Sequence, residues 1–238
     1  MVDLQSVWDY DDPAASEARF RELLPVDDVA LAIEIESQIA RAQGLQRAFD
    51  DAQATLDAAE ARLGDGMPRA RVRVLLERGR VLNSSGEREA ARPCFTEAWE
   101  AACDAGLDGL AVDAAHMLAI VAPSDEALAW NERALELAST SQDPDATRWE
   151  GSLRNNIGWT HHGEGRFDAA LAQFESALAF REASGTGKEV RVARWCVARC
   201  MRSLGRVEEA LGIQRDLESG VEDGYVQEEL AECLHALG

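Results

Sequence analysis

The chain has 238 residues and a formal net charge of −20, from 24 basic and 44 acidic side chains. That balance argues against binding nucleic acid or an anionic membrane, which needs a strongly basic face. A hydrophobic content of 46% argues against a disordered acidic tail, and 6% aromatics with 41 alanines favour helices over a β-sandwich or barrel.

Taken in chain order, the opening MVDLQSVWDYDDP lacks the basic and apolar regions of a signal peptide. Its Val7, Trp8 and Tyr10 sit among aspartates, and the segment is expected either to lie along the helices that follow or to be mobile. Asp11-Asp12-Pro13 reads as a helix start, and the helix from Pro13 to Leu24 offers Phe20, Leu23 and Leu24 as an apolar capping edge. From there the chain repeats itself. One unit carries Ala40, Ala52, Leu56 and Ala59, with Arg47 where a turn glycine is expected. The next carries Gly79, Gly86, Ala91, Phe95 and Ala98, and a third Ala115, Ala127 and Ala134 around Ala122-Pro123. The clearest, NNIGWTHHGEGRFDAALAQFESALAF, carries Gly158, Gly165, Ala170, Phe174 and Ala177. A fifth carries Ala198, Gly205, Ala210 and Leu217, and the tail YVQEELAECLHALG starts a sixth.

These units resemble the tetratricopeptide repeat family: a helix with a small eighth residue, a tight turn, and a second helix with small, aromatic and small residues. Repeats then begin near Ile33, Val72, Asp108, Gly151, Arg191 and Gly224. Most spacings exceed the 34 residues of the minimal repeat, so several helices must be extended by a turn. The resemblance implies an all-α solenoid of about 12 helices in a right-handed superhelix. Residues 1–32 form an N-terminal segment and capping helix, and residues 33–238 five helix pairs plus a final unpaired helix. Gly79, Ala115, Gly158 and Ala198 let paired helices approach, Phe95, Phe174 and Leu217 fill the space between repeats, and Gly86, Gly165 and Gly205 end helices in the left-handed conformation.

In this family the second, fifth, ninth and twelfth residues of each first helix line a concave groove, and intervals of three and four keep them on one helical face. Here those positions include Arg41, Arg80, Asn83, His116, Asn155, Trp159, His162, Trp195, Arg199 and Arg202. Five arginines against one glutamate oppose the sign of the whole chain, and Arg with Trp suits a peptide groove that takes acidic groups. The competing reading is that these arginines pair with acids of neighbouring helices.

The expected function is protein or peptide binding as an adaptor. The alternatives are a sensor that closes on a peptide or small ligand, and a structural protein that joins copies, as a homodimer, through its C-terminal end. No GxGxxG after a strand, Walker loop, GxSxG or HExxH is present, so neither a catalytic residue nor a cofactor is assigned. Lys188 in SGTGKEV reads as part of a flexible inter-repeat turn. No metal site is assigned: His161 and His162 adjoin and face different ways, and Cys196 and Cys200 lack further ligands. Five cysteines without CxxC spacing read as reduced, mostly buried thiols of a cytoplasmic protein, and the Arg-rich, Lys-poor usage suggests a GC-rich bacterium. No apolar run approaches the ~20 residues of a membrane span.

Overall fold

A computed structural model describes residues 4–218 and 223–238 and shows an all-α, tetratricopeptide-like arrangement of antiparallel helix pairs. The chain divides into two compact units, Met1–Thr147 and Arg148–Gly238. In the first unit a 3-10 turn at Leu4–Val7 precedes α1 (Pro13–Glu22), which packs on α2 (Val29–Leu45). Helix α2 pairs with α3 (Phe49–Glu60), α4 (Pro68–Ser85) with α5 (Arg88–Asp104), and α6 (Asp108–Val121) with α7 (Ser124–Thr140). The one-turn α8 (Pro144–Thr147) closes this unit against α6. The second unit holds the pairs α9 (Glu150–Gly163) with α10 (Phe167–Ser184) and α11 (Gly187–Ser203) with α12 (Val207–Glu218), and then α13 (Gly224–Leu237) against α12. Among the described residues there are thus twelve long helices, one short helix and one 3-10 turn.

Local chemistry sets the helix ends. The carboxylate of Asp12 accepts from the Ala15 amide at the start of α1, and that of Asp28 accepts from Ala30 and Leu31, so both aspartates are N-caps. Helices α2 and α4 begin one turn before the family pattern, which supplies the extra length seen in the repeat spacing. Gly86, Gly165 and Gly205 adopt positive φ, as the turn spacing requires.

Arg47 takes the same conformation, φ +64°, where the other units have glycine. A Cβ in that region costs about 1–2 kcal/mol. The guanidinium of Arg47 lies 5.9 Å from the Phe49 ring, a weak exposed contact. Arg47→Gly is therefore expected to raise stability by about 0.5–1 kcal/mol, read as a higher urea midpoint, with Arg47→Ala gaining nothing.

The N-terminal segment lies along α2. Trp8 stacks on Tyr10 at 4.9 Å and meets Phe20 edge-on at 5.2 Å, while its indole nitrogen donates to Gln38 Oε1 at 3.0 Å. Each unit has its own core. Leu56, Leu76, Phe95 and Leu118 are fully buried in the first, and Phe174, Cys200 and Cys233 in the second. Three of the five thiols are buried, whereas Cys103 is exposed and Cys94 partly so. No helix among the described residues is long and apolar enough to cross a membrane.

Candidate functional site

The first-helix face of the first unit is built from α2, α4 and α6. It carries the expected Arg41, Arg80, Asn83 and His116, but the arginines are occupied by the chain's own acids. Glu77, fully buried on α4, lies 3.6 Å from Arg41 and 2.6 Å from Arg80. Arg80 also pairs with Asp113 on α6. Burial disfavours both charges of that pair. The mutual attraction outweighs it, so the Asp113 carboxyl is held below the usual carboxylate range and the Arg80 guanidinium above its own. Arg41 further lies 5.4 Å over the Trp8 ring and 5.6 Å over that of Tyr10. Arg41, Arg80 and Asn83 line a cavity of about 180 Å³ together with Gly44, Val81 and Met117. Burial lowers the affinity of His116 for a proton, and Arg80 adds to that effect against the opposing pull of Asp113.

In the second unit the face is built from α9, α11 and α13. Arg199 and Arg202 converge on the buried Glu229 at 2.8 Å each, and Arg202 reaches Glu232 at 3.4 Å. Asn155 accepts a hydrogen bond from the Cys196 thiol at 3.2 Å. Burial pushes that thiol up to about 12, against a hydrogen bond from Trp159. His162 Nε2 lies 2.9 Å from Ser203 Oγ, and burial together with Arg199 lowers its pKa. The remaining side chains form a row of rings. His162 meets Trp159 at 5.2 Å, Trp159 meets Trp195 at 5.9 Å, and Trp195 meets Tyr225 at 6.0 Å while its indole nitrogen donates to the Tyr225 carbonyl. Trp159 also leans on the core ring of Phe174 at 5.0 Å. Beyond Trp195 the row ends at a cavity of about 300 Å³ with a wall of Val192, Leu217 and Val226, flanked by Lys188, Arg191 and Asp223.

One rule accounts for most of this geometry. The ninth residue of a first helix reaches the sixth residue of the next: Arg41 to Glu77, Arg80 to Asp113, Trp159 to Cys196, Arg199 to Glu229. Trp8 plays the ninth-residue part toward Gln38. Reading the second, fifth, ninth and twelfth residues passes over the sixth, although it lies on the same face, four after the second and three before the ninth. The acids that neutralise Arg41, Arg80, Arg199 and Arg202, namely Glu77, Asp113 and Glu229, stand at that sixth position. The excess positive charge expected for this face is therefore largely cancelled within the fold. SGTGKEV, expected to be a flexible turn, holds the start of a helix. Lys188 sits in the first turn of α11, behind a capping box in which Thr186 and Glu189 bind each other's backbone amides. The T-x-x-E spacing carried that signal. Lys188, Arg191 and Tyr225 are the neighbours of Trp195 that position counting missed.

Within each unit the antiparallel pairs stack with their first helices on one face, which defines a tetratricopeptide-like repeat fold. Residues 110–183 match the family model described as tetratricopeptide repeat. No protein of curated function matches the sequence. Among solved structures the chain is similar to BtubC (BKLC) from P. vanneervenii, at a TM-score of 0.67 and 18% identity over 94% of this chain and 95% of that one. It is similar to a Signal Transduction ATPase with Numerous Domains with a tetratricopeptide repeat sensor from Pyrococcus horikoshii, at a TM-score of 0.75 and 12% identity over 95% of this chain and 36% of that one. It is also similar to NprR in complex with its cognate peptide NprX, at a TM-score of 0.55 and 16% identity over 98% and 70%. At these identities the likeness is one of fold. Tetratricopeptide repeat domains generally bind proteins or peptides.

Proposed function

We propose that this chain is a binding protein and not an enzyme, a cytoplasmic bacterial adaptor that holds a peptide segment on the first-helix face of its second unit. The observation that carries this reading is the row His162–Trp159–Trp195–Tyr225 on α9, α11 and α13, with Tyr225 72% exposed. Large rings offer contact area at little entropic cost, and they dominate binding hot spots. The NprR structure, which has a cognate peptide bound in a similar fold, supports a peptide as the ligand class. Buried free thiols at Cys196, Cys200 and Cys233 support a reducing compartment, and 23 arginines beside a single lysine support a GC-rich bacterial source.

The test uses peptides selected on the full chain from a random display library, titrated calorimetrically. Tyr225→Ala is expected to weaken them by about 1–3 kcal/mol. Its melting temperature should stay near that of the wild type, because the ring is mostly in solvent. Trp159 and Arg199 are poor test positions, since one packs on Phe174 and the other holds Glu229. Equal affinity for wild type and Tyr225→Ala would move the binding face elsewhere.

A further inference from the structure

The second unit's cavity carries an inference beyond general peptide binding. Its wall is apolar, formed by Val192, Trp195, Leu217 and Val226. At about 300 Å³ it lies at the small end of ligand sites, with room for one ring-sized group and not for an extended segment. Two cations stand at this apolar wall, the exposed Lys188 and the half-buried Arg191. Elsewhere the chain spends its cations internally: on acids, as Arg41, Arg80 and Arg202 do, on backbone carbonyls, as Arg88 does, or on rings, as Arg47 and Arg133 do. Among the described residues, Lys188, Arg191 and Arg215 have no acid, ring or carbonyl partner, and two of these three share this cavity. The acid that lines it, Asp223, is engaged in capping α13 through the Tyr225 amide. In a chain of net charge −20, two unpartnered cations against one carboxylate leave this apolar pocket locally positive.

We propose that this cavity binds one large apolar group that carries a carboxylate, with the apolar part against Trp195, Leu217 and Val226 and the carboxylate on Lys188 and Arg191. A free aromatic or branched acid has this chemistry, and so has the last residue of a peptide. The inference deepens the peptide-binding reading, since Trp195 and Tyr225 belong to both, but its cationic pair plays no part in that reading.

The probes are 3-phenylpropionate and its neutral isostere 3-phenylpropionamide, and Gly-Gly-Phe as the free acid and as the C-terminal amide. Each is titrated calorimetrically into the full chain at neutral pH and low salt. For at least one pair, the acid is expected to bind about tenfold or more tighter than its amide. In the double variant Lys188→Gln/Arg191→Gln that preference disappears, while the melting temperature, set by the core, is unchanged. Binding of 3-phenylpropionate as tight as that of the tripeptide acid supports the proposal with a small acid as ligand. Binding of the tripeptide acid alone supports it with a chain terminus as ligand. Equal binding of acid and amide overturns it, as does a preference that survives in the double variant. No heat from any probe at about 10 mM also overturns it. The peptides selected against Tyr225 report separately, so failure of this cavity and failure of the aromatic row are distinct results.

Discussion

Glu77→Ala is expected to destabilise the first unit by about 3–5 kcal/mol, the cost of breaking a buried ion pair by removing one partner. Glu77 is the shared acid of α4: Arg41 and Arg80 both approach its Oε1, at 3.6 and 2.6 Å, with none of its surface in solvent. Alanine there leaves two neighbouring guanidinium groups without their shared carboxylate. Arg80 keeps Asp113, and Arg41 keeps the Trp8 and Tyr10 rings, which holds the loss toward the lower end of that range. Glu77→Gln keeps the shape and one acceptor and should cost about half as much. Urea unfolding followed by circular dichroism reads both. An unchanged midpoint for Glu77→Ala would mean that Arg41 and Arg80 turn out to solvent at no cost, and the chain would then have free cations on this face after all.

The second large effect is at the contact between α9 and α10. A Cβ on Gly158 would lie 2.6 Å from the Phe174 ring, closer than carbon atoms approach, and Phe174 is fully buried. Gly158→Ala must push that ring or the helix aside and is expected to cost about 1–3 kcal/mol. Phe174→Ala is expected to cost about 3–5 kcal/mol through the cavity it leaves beneath Trp159. The combination tests the geometry. With the ring gone, the added methyl has space, so the double variant should be more stable than the two losses summed, by about 1 kcal/mol or more. Simple additivity would place the two residues out of contact. Because Trp159 leans on Phe174, Phe174→Ala should also weaken any peptide held on the aromatic row. Gly79 and Phe95 repeat the same arrangement in the first unit, at 2.5 Å, and the same pair of substitutions should behave alike there.

Much of the fold was legible because repetition multiplies a weak local signal. Gly158 and Phe174 are uninformative alone, but the same spacing at Gly79 and Phe95 ties a small residue on one helix to a ring on the next. The turn at Arg47 was legible for the same reason: its place in the repeat marked a left-handed position that the residue itself argues against. The binding face was less legible. Counting every third and fourth residue placed Trp159 and Trp195 near each other, and they are in contact. The same count made Arg41, Arg80, Arg199 and Arg202 look available, because a list of positions on one helix says nothing of the acid that the next helix brings against them.

The sequence by itself determined the long helices, their pairing and the small-to-large contacts within each pair, since all of these follow from spacing along one chain segment and from a cap such as Asp12. Tertiary structure alone decided which charges remain for a partner. Glu77, Asp113 and Glu229 come within 4 Å of arginines some 30 residues away only when the repeats stack, and a buried acid that lost its arginine would be left uncompensated. Lys188 and Arg191 stay unpaired for the complementary reason: stacking sets an apolar wall beside them, and the one acid at that wall, Asp223, caps α13.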